Sequence, residues 1–85
     1  FGLVNRLAGE GQALEVAKEL AAEICKNAPL AVAESRKIMI ESTDQPDEIG
    51  WKMSGEGIMK MFGTEDFNEG LTAFIEKRDP EWKGR

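Results

Sequence analysis

Apolar residues recur at three- and four-residue spacing through most of this sequence, and the pattern breaks where proline and glycine gather. Across residues 12–26, Leu14, Ala17, Leu20, Ala21 and Ile24 fall on one face of a helix, with Glu15, Lys18, Glu19, Glu23 and Lys26 mostly on the other. Asn27-Ala28-Pro29 ends that helix, because a proline disfavours helical geometry in the residue before it. The same proline suits the first turn of a second helix, where its missing N–H is harmless. Residues 30–42 continue in helical register, with Leu30, Ala33 and Lys37 on one stripe and Ala31, Val32, Ile38, Met39 and Ile40 widening it. Apolar residues at both ends of this second helix predict burial on more than one side.

Ser42-Thr43-Asp44-Gln45-Pro46 is a break that offers cap residues for a third helix. That helix, over residues 46–62, carries Ile49, Trp51, Met53, Ile58, Met59, Met61 and Phe62. Gly50, Gly55 and Gly57 interrupt it, each costing up to ~1 kcal/mol against alanine, so they mark a close helix crossing or a bend. Gly63 and Thr64 stop this helix and cap a fourth, which opens with Glu65 and Asp66 at the positive end of its dipole. Phe67, Leu71, Phe74 and Ile75 form its apolar stripe, Lys77 and Arg78 complement its C-terminal end, and Asp79-Pro80 terminates it. Residues 81–85 read as irregular. Residues 3–7 read as a short extended segment, and Ala8-Gly9-Glu10-Gly11 as a loop. The fold class expected is all-α, with about four helices over residues 12–85.

Length changes that picture. At 85 residues the chain is one small domain at most. A chain of this size buries about 60–65% of its unfolded surface, which makes it a marginal stand-alone domain or a part that rests on something else. Its opening Phe1-Gly2-Leu3-Val4 is apolar where a free terminus is usually polar, which favours the part. That opening lacks the basic region and cleavage site of a signal peptide, and no apolar run approaches a membrane span.

Charge and composition then narrow the chemistry. The formal net charge of −5 argues against a nucleic-acid partner, which needs a basic face. With Cys25 as the single cysteine, no internal disulfide forms, and a reducing compartment is the natural expectation. Histidine is absent, which removes Ser-His-Asp and Cys-His nucleophilic sites and the usual zinc ligands.

The remaining candidates are few. Gly9-Glu10-Gly11 and Gly55-Glu56-Gly57 begin like a dinucleotide fingerprint, but neither has the third glycine or the strand–turn–helix context. Asp44, Asp47 and Glu48, and likewise Glu65 and Asp66, lack the spaced oxygens of a calcium loop; capping and dipole complementation account for them, and no metal site is expected. Cys25, without a histidine partner, reads as a small buried hydrophobe. Met53, Met59 and Met61 with Trp51 and Phe62 read as core filling, or as a surface facing a subunit or ligand. Phe74 and Lys77 share a face near a helix end. They read either as a core aromatic with a solvated cation, or as a pair suited to stack on an adenine and meet a phosphate.

Three stretches, in order, resemble the C-terminal region of the crotonase superfamily of enoyl-CoA hydratases and isomerases. Phe1-Gly2-Leu3-Val4-Asn5-Arg6-Leu7 is similar to the segment leading out of the family's N-terminal domain. Lys26-Asn27-Ala28-Pro29-Leu30-Ala31-Val32 resembles its helix–Asn-Ala-Pro–helix junction. The third and most specific is Thr64-Glu65-Asp66-Phe67-Asn68-Glu69-Gly70-Leu71-Thr72-Ala73-Phe74-Ile75-Glu76-Lys77-Arg78, followed by Pro80, Trp82, Lys83 and Gly84. The sequence departs from the family pattern in its Gly- and Met-rich third helix and at Trp82, where a smaller aromatic is common.

The resemblance implies a cytoplasmic or organellar lyase or isomerase of fatty acid metabolism, assembled as a trimer or hexamer, with an acyl-CoA thioester as substrate and no separate cofactor. It implies that residues 1–11 are an exit segment and loop from an N-terminal domain, and residues 12–85 the C-terminal helical domain. In that family the N-terminal domain supplies backbone N–H groups for the thioester enolate, and in hydratases two glutamates act as acid and base. None of the twelve glutamates here is therefore expected to be catalytic. The family's CoA-binding Phe and Lys match Phe74 and Lys77, which are the expected CoA contacts. Two rivals come from other classes. A free-standing helical interaction module fits the small size and the soft methionine surface. A phosphopantetheine carrier does not fit, because Ser35, Ser42 and Ser54 lack the Asp-Ser-Leu context.

Overall fold

The computed structural model describes residues 1–85 as four helices without a strand: α1 (Ala13–Cys25), α2 (Pro29–Glu41), α3 (Asp47–Met61) and α4 (Glu65–Glu76). Residues 1–12 carry no helix, and Arg6 ties that segment to α1 by an ion pair with Glu23 at 2.7 Å. Each helix lies within a residue or two of the span expected from its apolar periodicity.

The junctions follow from local chemistry. The Asn27 side chain donates to the Glu23 and Ile24 carbonyls at 3.3 and 3.1 Å, satisfying two of the acceptors that a helix end leaves open. Pro29 then starts α2 as its first helical residue. Ser42, Thr43 and Asp44 close α2 and do not cap α3 as expected. The Thr43 hydroxyl donates back to the Met39 carbonyl at 2.7 Å, Asp44 adopts a left-handed φ of 64°, and Pro46 sits at the N-cap of α3 without any side-chain cap. Thr64 does cap α4, its hydroxyl accepting from the Phe67 N–H at 3.1 Å.

The principal helix–helix contact is α2 against α3. It crosses at Gly57, where a Cβ would stand 2.9 Å from Ile38 Cδ1 and 3.2 Å from Glu34 Cγ. Of the two explanations for the α3 glycines, close crossing therefore holds at Gly57. Lys60 on α3 meets Glu34 on α2 at 2.7 Å across the same seam.

Beyond that seam the molecule has almost no interior. Gly57, Asp66 and Ala73 are its only buried residues. The radius of gyration is 16.1 Å, against about 12 Å for a compact chain of this length. The accessible surface is 7268 Å², where a folded monomer of this mass exposes about 5,000 Å². The burial expected from size alone is not reached. Leu14, Met39, Trp51, Met59, Phe62 and Phe74 are among the large apolar side chains left exposed. Of the two readings of the methionine-rich α3 surface, Trp51, Met59 and Phe62 follow the outward-facing one, while Met53 and Met61 are half-buried. No helix is long and apolar enough to cross a membrane.

Candidate functional site

The periodicity of α4 contains two stripes, and the chain uses them oppositely. Asp66, Glu69, Gly70 and Ala73 recur at the three- and four-residue spacing of one face, and this face receives the chain's own tail. Leu71, Phe74 and Ile75 make up an apolar stripe that stays exposed, at 51%, 84% and 78% of full accessibility. Phe67, at the head of that stripe, is half-buried and meets Phe62 edge-on with ring centroids 4.8 Å apart.

Residues 79–85 run back along α4 as an irregular but closely bonded strap. Glu69 accepts from Arg78 at 2.6 and 3.0 Å and from the Glu81 N–H at 2.7 Å. Trp82 lies over Gly70, where a Cβ would come within 3.3 Å of the indole, so a larger residue would push the ring away. The buried Asp66 carboxylate accepts the Lys83 and Gly84 N–H groups at 2.7 and 2.9 Å, and its own N–H donates to the Arg85 carbonyl at 3.0 Å. Asp66 thus does more than complement the helix dipole: it holds the strap, and burial is tolerable because both oxygens are bonded. The Arg78 guanidinium and the Glu81 N–H hold the Glu69 carboxyl down at about 2. Arg78 also meets Glu76, the last residue of α4, at 2.6 Å, so one guanidinium ties the C-terminal end of the helix to Glu69.

At the other end of α4, the helix closes in a Schellman arrangement. The Arg78 N–H donates to the Ala73 carbonyl at 3.1 Å and the Lys77 N–H to the Phe74 carbonyl at 3.4 Å. This places Lys77 in the left-handed region, with φ 55° and ψ 42°, where helices usually employ glycine. Phe74 and Lys77 are thereby joined through the backbone, both side chains exposed, and Lys77 takes part in none of the chain's ion pairs. Of the two readings of this pair, the buried aromatic is excluded for the chain itself.

Cys25 departs from expectation: it is exposed, not buried, because it ends α1 beside the strap, where the chain has no core. It lines a recess with Lys26, Asp79, Pro80 and Trp82. No three His, Cys, Asp or Glu side chains gather in a metal-binding group. The strap contacts of Asp66, Glu69, Arg78 and Trp82 escape sequence reasoning, since a short irregular tail has no periodicity. The spacing of Asp66, Glu69, Gly70 and Ala73 is the one signal that points to them.

The chain is thus an elongated all-α unit whose last helix leaves an apolar stripe exposed, with Phe74 and Lys77 both exposed at that helix's end. Known proteins give it a family. A family model described as enoyl-CoA hydratase/isomerase matches residues 1–85. Carnitinyl-CoA dehydratase of Salmonella typhimurium is 39% identical over 89 residues, which cover 100% of this chain and 34% of that protein. A crystal structure of a probable enoyl-CoA hydratase/isomerase from Mycobacterium abscessus superposes with a TM-score of 0.89 at 48% identity, covering 100% of this chain and 34% of that one. Enoyl-CoA hydratase from Mycobacterium tuberculosis gives 0.88 at 40% identity, over 99% and 33%. This chain belongs to the enoyl-CoA hydratase/isomerase family, the crotonase group. It spans about a third of the length of the relatives it matches.

Proposed function

We propose that this chain is the C-terminal helical region of an acyl-CoA hydratase, isomerase or dehydratase, and that it contributes part of the CoA site and subunit contacts, not the catalytic groups. In this reading residues 1–11 are the exit from a preceding domain and residues 12–85 the helical domain. The substrate is an acyl-CoA thioester, with no further cofactor, and the full protein is a cytoplasmic trimer or hexamer. The whole-chain family match supports the acyl-CoA substrate, and the relative named for carnitinyl-CoA is of the same chemical class. The exposed apolar surface supports extensive contacts with further protein. An independent helical module is disfavoured by the same observation, since three buried residues are no core.

The single observation that carries the CoA assignment is the pairing of exposed Phe74 with Lys77 at a left-handed helix end. The aromatic ring offers a face for the adenine, and the ammonium, without an internal carboxylate partner, is available to phosphate. Neither residue is needed for the bond-making step. Replacing both with alanine in the full-length gene product is expected to raise KM for acyl-CoA while changing kcat much less. An unchanged KM removes Phe74 and Lys77 from the site.

A further inference from the structure

We infer that the strap over residues 79–85 is a positioning element for the CoA site, with Trp82 as its anchor; this rests on the assignment of Phe74 and Lys77 as CoA contacts. Within these 85 residues the strap is the main hold on α4. Helix–helix packing is concentrated between α2 and α3, and α4 joins α3 through the short Gly63-Thr64 turn and the Phe62–Phe67 contact. A helix attached at one end pivots about that end, and its far end moves most. Phe74 and Lys77 are at the far end.

The strap supplies the second attachment. It follows Lys77 and Arg78, returns along the Asp66, Glu69, Gly70 face, and reaches across to the α1–α2 junction. There the Trp82 indole N–H donates to the Lys26 carbonyl at 2.9 Å, and Gly84 approaches Pro29, where a Cβ would lie 3.9 Å from the proline ring. Lys26 is the C-cap of α1, so its carbonyl is one of the acceptors that the helix end leaves open. One indole thus spans the two bodies, its ring on Gly70 of α4 and its N–H on α1. The strap occupies the face of α4 opposite the Leu71, Phe74, Ile75 stripe, so it fixes the helix without covering the ligand-facing edge. Displacement of a binding group by about 1 Å is enough to lose a large part of its contribution.

The test uses the full-length gene product with two substrates, an acyl-CoA and the matching acyl-pantetheine thioester, which lacks the nucleotide. Trp82→Ala is expected to raise KM for the acyl-CoA about tenfold, to leave kcat and the acyl-pantetheine kinetics within about twofold, and to have no further effect in the Phe74→Ala/Lys77→Ala background. Trp82→Phe, which keeps a ring on Gly70 and loses the bond to Lys26, is expected to fall between. It also serves as the measured variant if Trp82→Ala does not fold. If the Trp82 variants leave KM unchanged while the Phe74/Lys77 double variant raises it, the strap proposal falls and the CoA assignment stands. If the double variant itself leaves KM unchanged, both fall. Equal loss with both substrates marks Trp82 as merely structural and overturns the positioning role.

Discussion

Glu69 and Arg78, nine residues apart, meet through two hydrogen bonds of 2.6 and 3.0 Å, and the same carboxylate accepts the Glu81 N–H. The turn of chain between them, at the C-terminal end of α4, carries Phe74 and Lys77. A planar guanidinium on a carboxylate is a directional contact, one that a lysine could not reproduce.

Acid should loosen the strap through this carboxylate. Glu69 is held at about 2, below its ordinary 4.5. A group whose folded value is depressed contributes stability above its unfolded value, and that contribution is lost as pH falls through the folded one. The window is therefore from pH 4.5 down to about 2. Trp82 fluorescence and exchange of the Glu81 amide are expected to change across it, and Glu69→Gln should flatten that change. A profile identical in Glu69→Gln would assign the acid sensitivity to another group.

Lys77 sets stability against binding. A non-glycine residue in the left-handed region costs about 1–2 kcal/mol, which glycine avoids at the expense of a more flexible unfolded chain. Lys77→Gly is thus expected to raise unfolding stability by up to ~1 kcal/mol, while Lys77→Ala, equally strained, should not. Both should raise KM for acyl-CoA if the ammonium meets phosphate. Denaturant midpoints and KM measured on the same preparations check the two halves separately. A Lys77→Gly protein that is less stable would mean that the side chain makes a structural contact in the full assembly.

Legibility from sequence differs by element. The helices are legible, because Leu14 to Ile24 and Leu30 to Ile40 recur at helical spacing and Pro29, Pro46 and Gly63 punctuate them. The direction of their apolar faces is not. Periodicity says which residues share a face; it does not say what covers it, and Leu71, Phe74 and Ile75 all stay exposed in this chain. Ser42 and Asp44 show the same limit locally: residue types that favour caps also favour the end of the preceding helix. The family pattern singles out Lys77 and Trp82, but the left-handed turn of one and the bridging bond of the other emerge only in the folded chain.

The 85-residue segment expressed alone should not unfold cooperatively. Cooperative unfolding needs a shared core, and here only the α2–α3 crossing resembles one. Circular dichroism is expected to show partial helicity with a broad thermal transition, and a hydrophobic dye should bind the exposed surface. A sharp transition with no dye binding would favour an independent helical module and count against the proposed role as part of a larger enzyme.

The glycines of α3 separate crossing from bending. Gly55 faces open space, with nothing within 4 Å of where a Cβ would stand, whereas at Gly57 a Cβ would approach Ile38 Cδ1 to 2.9 Å. Gly55→Ala should therefore stabilise the protein by up to ~1 kcal/mol through helix propensity alone. At Gly57 the same gain is offset by the need to move Ile38, whose terminal methyl can rotate aside, so Gly57→Ala should be near neutral. Gly57→Val adds branched bulk beside the Glu34 stem and should destabilise by about 1–3 kcal/mol. Chemical denaturation of the three variants in the full-length gene product checks the order. If Gly55→Ala is destabilising instead, another surface packs closely against α3 at that residue, and the exposed Trp51 and Met59 nearby would be the first side chains to examine for that contact.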